Sequence, residues 1–66
     1  MTIDLKLKLQ RHYPSISDHA VDEFEKLLAG QRRIDGLELG HLGLAYRSRF
    51  MPDEWVLTDV GARFIP

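Results

Sequence analysis

Ser15, Ser17, Asp18 and His19 lie close together in the chain. Hydroxyl, imidazole and carboxylate are the parts from which a nucleophile, its base and an orienting group are assembled. The same residue types at the start of a helix do something simpler: their oxygens accept hydrogen bonds from the free N–H groups of the first turn. The apolar periodicity that begins at Ala20 favours that second use. No other nucleophile, base and orienter can be assembled from the sequence, so the chain reads as a non-enzyme. His12, His19 and His41 are too widely spaced for a metal-ligand motif, and the lack of cysteine removes thiolate ligands and disulfides. Gly36, Gly40 and Gly43 fall inside a leucine-rich stretch, not a phosphate-binding loop. No cofactor or metal is expected.

Three groups of residues are candidates for binding instead. Arg47 and Arg49 alternate with Tyr46, Ser48 and Phe50. On a strand both arginines would share one face, about 7 Å apart at ~3.3 Å per residue, with Tyr46, Ser48 and Phe50 covering the core. Arginine suits the capture of carboxylates or phosphates; the plainer reading is a solvated strand face. Trp55 is either an anchor of the kind enriched in binding hot spots or a core residue. Asp18, Asp22 and Glu25 form an acidic stripe that would meet a basic partner. Its plainer reading is a solvated helix face supported by an Asp22–Lys26 pair at i,i+4.

The elements that must position these groups follow from periodicity. At ~100° per residue, Ala20, Val21, Phe24, Leu27 and Leu28 fill an arc about 120° wide, with the acidic stripe opposite. This predicts an amphipathic helix over 17–29, capped by Ser15 or Ser17 and stopped at Gly30. A short helix over 36–44 follows, started by Asp35 and ended near Gly43. Met51-Pro52-Asp53-Glu54 has proline at the second position of a type I turn. That turn predicts a hairpin pairing 45–50 with 54–58. Thr58 then caps a last helical turn, with Val60, Phe64 and Ile65 folding back on the core. Ile3, Leu5, Leu7 and Leu9 alternate with Asp4, Lys6 and Lys8, which predicts a strand over 3–9. The alternative is a helix capped by Thr2, since leucine, lysine and glutamine are good helix formers.

The chain has 66 residues, 44% hydrophobic and 29% charged, which is a globular balance in one domain over 1–66. So small a core often needs a staple or a second copy, which keeps a homodimer open. The net charge is -1, and both parts of the chain are balanced. Dedicated nucleic-acid binders are usually clearly basic, so specific duplex binding is expected to be weak or absent. No apolar run reaches the ~18 residues of a membrane span and no secretory signal is evident, so a cytoplasmic location is expected.

The C-terminal part adds a resemblance. A leucine-rich helix, then Leu44-Ala45-Tyr46-Arg47, a turn, and Trp55-Val56-Leu57-Thr58-Asp59-Val60-Gly61-Ala62-Arg63 resembles the second half of winged-helix domains. There a recognition helix leads into a two-stranded wing, and the wing runs into a Leu-Thr-x-x-Gly-x-Arg-like helix start. The match covers residues 37–65. It implies an α+β fold: a small winged-helix-like domain with an amphipathic helix, a short helix, a β-hairpin and a C-terminal helical turn. It also implies a recognition helix from Gly36 to Leu44 and wing residues Arg47, Arg49 and Glu54, the equipment of a DNA-binding transcriptional regulator. In this chain the polar side chains of that helix are Glu38 and His41, whereas base readout draws on hydrogen-bonding side chains at the groove edge. In size, and in beginning with Met, the chain also resembles small accessory proteins of phages, among them inhibitors of host nucleases and anti-CRISPR proteins. The function expected is therefore a protein-binding module that blocks or modulates a partner, with DNA binding as the alternative.

Overall fold

The computed structural model describes residues 2–65, with side chains from residue 4 onwards. Its elements are α1 (Thr2–His12), α2 (Asp18–Leu28), α3 (Leu37–His41), β1 (Ala45–Arg47), β2 (Trp55–Leu57) and α4 (Asp59–Ala62). The two strands form one antiparallel sheet, so the fold is α+β. Among the described residues no helix is long and apolar enough to cross a membrane.

α2 is the centre of the packing. Ser17 caps it, its hydroxyl accepting from the Ala20 N–H at 3.0 Å. Ala20, Val21, Phe24 and Leu27 are buried along its inner face, as the periodicity requires. Both α2 and α3 end in the same way, with glycines at φ +99° (Gly30) and +78° (Gly43). At each end the glycine N–H and the one after it turn back to free carbonyls: Gly30 to Leu27 and Gln31 to Lys26, then Gly43 to Gly40 and Leu44 to Leu39. This closure satisfies carbonyls that a helix end leaves open. α3 is shorter than predicted chiefly at its end: it starts at Leu37 after a Gly36 cap without a side-chain bond and stops at His41, with Leu42 as its C-cap.

Residues 3–9 form a helix, not a strand. A strand over 3–9 would satisfy its backbone only by pairing along another strand, and among the described residues the sheet consists of β1 and β2 alone. As a helix the segment satisfies itself and lays Leu5 and Leu9, at i and i+4, against the core. Leu9 is fully buried, whereas Leu7 stays 55% exposed. The side chains of Thr2, the alternative cap, and of Ile3, the first residue of the predicted strand, lie outside the described residues.

The hairpin is also shorter than predicted. Its register is Ala45↔Leu57, Tyr46↔Val56, Arg47↔Trp55, and the strand ends at Arg47. The turn forms as expected, with the Glu54 N–H donating to the Met51 carbonyl at 2.8 Å. The face assignment reverses, however. Ala45 and Trp55 are the buried members, and Tyr46 and Phe50 are exposed. The bulk of Trp55 decides this. Its indole lies against Gly36 and Gly40, where a Cβ would collide or crowd, so the strand face carrying Trp55 turns inward and that of Tyr46 turns out.

Thr58 caps α4, its hydroxyl accepting from the Gly61 N–H at 3.0 Å. Phe64 packs edge-on to Phe24 at 5.9 Å, but Val60 and Ile65 remain exposed. A single helical turn has room for one inner contact, and Gly61 takes it against the Leu44 carbonyl. Gly61→Ala is therefore expected to lower stability by about 1–3 kcal/mol, since a new Cβ meets backbone that cannot rotate away. A shift of the urea midpoint measures it.

Candidate functional site

Trp55 is the pillar on which the hairpin stands. The Arg47 guanidinium lies 5.0 Å from the indole centroid and donates to the Pro52 carbonyl at 3.0 Å. So Arg47 is spent inside the hairpin, tying the turn to the core. The Ser48 hydroxyl accepts from the N–H groups of Phe50 and Met51, both at 3.3 Å. The Ser48 N–H donates to the Glu54 carbonyl at 2.9 Å. Arg33 reaches across to Asp53 at 3.3 Å. These bonds give the loop over 48–54 one shape, and that shape presents Phe50 with 88% of its surface exposed and Met51 beside it. Arg49 lies beyond the strand, exposed and without an ion pair among the described residues.

The structure thus separates the predicted sites. Arg47 and Arg49 do not form a paired strand face, because the strand stops between them. Trp55 is core, 7% exposed, and is not itself a surface anchor. Phe50, which the alternation placed inward, is the most exposed large apolar side chain described. The signal that could have found it is its place next to the Met51-Pro52 turn, where strand alternation no longer applies.

The acidic stripe lies on the other side of α2. Asp18 pairs with Lys6 of α1 at 3.0 Å. Asp22 and Glu25 border a shallow groove with His19, Glu23, Lys26, Ala29 and Gln31. The expected Asp22–Lys26 pair does not form. Lys26 turns to Glu23 instead, at 2.7 Å, because Glu23 is the buried carboxylate and has more to gain from a partner.

Glu23 belongs to a polar seam between α2 and the chain leading into α3. Its other oxygen accepts from the Asp35 N–H at 2.8 Å. The Asp35 carboxylate holds His19 Nε2 at 3.0 Å. Glu38 accepts from both the Ser17 N–H and the Ser17 hydroxyl, at 2.8 and 2.7 Å. Ser17 and His19 therefore face different carboxylates: Ser17 caps α2, as expected, and His19 is held by Asp35. Among the described residues no cluster of three or more His, Cys, Asp or Glu is placed to hold a metal ion. No protein-family model, curated protein or solved structure matches the chain.

The seam has a pH signature. The Lys26 ammonium holds the Glu23 carboxyl below its ordinary value of 4.5. Hydrogen bonding to His19 lowers Asp35 from 3.8, and that to the Ser17 hydroxyl lowers Glu38 from 4.5. The Asp35 carboxylate in turn raises His19 above 6.5. A carboxyl lowered on folding stabilises above its unfolded value, and that contribution is lost as pH falls through the folded one. A raised histidine stabilises fully below 6.5, and that contribution is lost as pH rises through its folded value. The urea midpoint is therefore expected to peak between roughly pH 5 and 6.5. His19→Gln should flatten the fall on the neutral side and weaken the Asp35 part of the acid side, while the contributions of Glu23 and Glu38, held mainly by Lys26 and Ser17, remain.

Proposed function

We propose that this chain is a non-catalytic protein-binding module that works in the cytoplasm by occupying a partner's surface, with the hairpin tip as its contact element. The observation that carries this reading is Phe50, 88% exposed on a loop whose backbone is already held. Covering a phenylalanine contributes ~1.5–3 kcal/mol, and a preformed loop loses little conformational freedom on docking. Arg49, without an ion pair among the described residues, adds a cation beside it, which suits a partner socket rimmed by carboxylates. In size and style the chain is akin to phage-type inhibitors of host nucleic-acid-processing or defence complexes, and we place its partner in that class. The run of α3 into the hairpin is what supports a winged-helix-like description.

DNA recognition has weaker support. α3 has five residues, which at ~1.5 Å each span little of a major groove. Its Glu38 is engaged by Ser17. The test is capture from host lysate with a photo-crosslinking residue at position 50. A partner crosslinked there after nuclease treatment supports the reading. Crosslinking only from position 22, or capture that nuclease abolishes, overturns it; a crosslinked homodimer identifies a second copy as the partner.

A further inference from the structure

β1 covers only one edge of β2. The Thr58 N–H donates to the Leu44 carbonyl at 3.1 Å, and the Ser48 N–H to the Glu54 carbonyl at 2.9 Å. These bonds bracket the register on either side of Tyr46↔Val56. Bonded pairs alternate along an antiparallel ladder, so Tyr46 and Val56 exchange the central bonds, and the backbone groups of Trp55 and Leu57 point away from β1. The Trp55 N–H follows this rule, donating at 2.8 Å to the Arg32 carbonyl in the α2–α3 connection. Among the described residues this is the one backbone bond between the connection and β2. The outward N–H and C=O of Leu57 have no partner among the described residues.

Beside them lies a groove of about 210 Å³ lined by Leu27, Gly30, Arg32, Trp55, Val56 and Leu57. A Cβ on Gly30 would meet nothing within 4 Å, so the groove is open on that side. Arg32 is its one charged lining residue; it is exposed and, unlike Arg33, has no ion pair among the described residues. The geometry points to the outer edge of β2 as a second docking site, which takes an extended acidic segment of a partner protein as an added strand. The segment's backbone meets Leu57, one apolar side chain enters the groove, and a neighbouring carboxylate meets Arg32. Strand addition to a free edge works in this way, with backbone bonds supplying affinity and side-chain pockets supplying selectivity. A second copy of this chain fits less well, because a two-fold interface presents the same patch on both sides, and the lining of this groove has no carboxylate to offer Arg32. The site is on the outer edge of β2 and its lining includes no residue of the 48–54 loop, so it does not depend on the Phe50 contact.

The test uses the full chain, isotope-labelled, titrated at millimolar concentration with two capped pentapeptides, Val-Glu-Val-Asp-Val and Val-Lys-Val-Lys-Val. The acidic peptide is expected to shift the Leu57 and Arg32 amides and to slow Leu57 amide exchange roughly tenfold near saturation. The basic peptide should do neither. Arg32→Glu should reverse the preference without unfolding the chain, because the Arg32 contact to β2 is made by its backbone. Phe50→Ser should leave peptide binding intact, which separates this site from the hairpin tip. No effect at Leu57, or equal effects of both peptides, overturns the proposal. So does Leu57 protection that grows with protein concentration alone, since that outcome identifies a second copy as the occupant.

Discussion

Changing Arg49 to glutamate and Phe50 to serine together is expected to abolish partner capture and leave the urea midpoint nearly unchanged. Phe50 is 88% exposed, so the isolated fold gains almost nothing from its ring. Its backbone N–H, which bonds the Ser48 hydroxyl, is kept by serine. Arg49 has no ion pair to lose among the described residues. On the bound side the effects are large. Truncating an anchor residue costs ~2 kcal/mol or more, roughly thirtyfold in affinity. Reversing a charge against a carboxylate rim adds repulsion, which brings the combined loss to about two to three orders of magnitude. Arg47 is a poor choice for the same test. Glutamate there would lose the stacking on Trp55 and the bond to Pro52, so lost binding could simply reflect a loosened hairpin. The control changes Asp18, Asp22 and Glu25 to lysine. If that variant loses the partner while the tip variant keeps it, the outer face of α2 is the contact surface and the tip is not.

Phe24→Ala is expected to remove the cooperative unfolding transition at 25 °C. Phe24 is fully buried and touches Phe64 edge-on at 5.9 Å; Phe64 also meets His12 at 5.8 Å. One ring therefore ties α2 to the C-terminal tail, and through it to the end of α1. Truncating a buried phenylalanine costs about 3–5 kcal/mol. A single core in a chain this short rarely supplies more than ~3–5 kcal/mol, so the variant should sit at or past the midpoint in buffer. Phe24→Leu keeps most of the volume and should retain a transition at a lower urea midpoint. Far-ultraviolet circular dichroism against urea reads both. A Phe24→Ala protein as stable as the parent would mean that the core is centred elsewhere.

What was legible in the sequence was local. Ser17 and Thr58 cap the helices that follow them, and Gly30 and Gly43 end the helices before them. Pro52 opens the turn between the strands. Each of these outcomes is set by bonds between residues a few positions apart, so the sequence window contains all the parties. The inner face of α2 was legible for a related reason. Its five apolar positions agree with one helical period and conflict with the strand period, leaving a single solution.

The tertiary structure decided what depended on distant partners. The alternation of residues 3–9 fits a strand, but Leu5 and Leu9 are also one helical turn apart, and the choice fell to packing, because as a helix the segment lays these two side chains together against the core. The polar seam joins Ser17 to Glu38 and Glu23 to the Asp35 N–H, pairs 21 and 12 residues apart, and no local pattern marks such bonds. The inward face of the hairpin was set by competition for one space. Trp55 fills the room beside Gly36 and Gly40, so its strand face had to turn inward. Tyr46 was left outside, and Phe50 followed it out on a turn that the core never reaches. By itself the sequence determined the caps of α2 and α4, the glycine stops after α2 and α3, and where the chain reverses, because short-range hydrogen bonds decide those. Which surfaces stay open to a partner was decided only by the packing of remote side chains, because exposure is what remains after the core is filled.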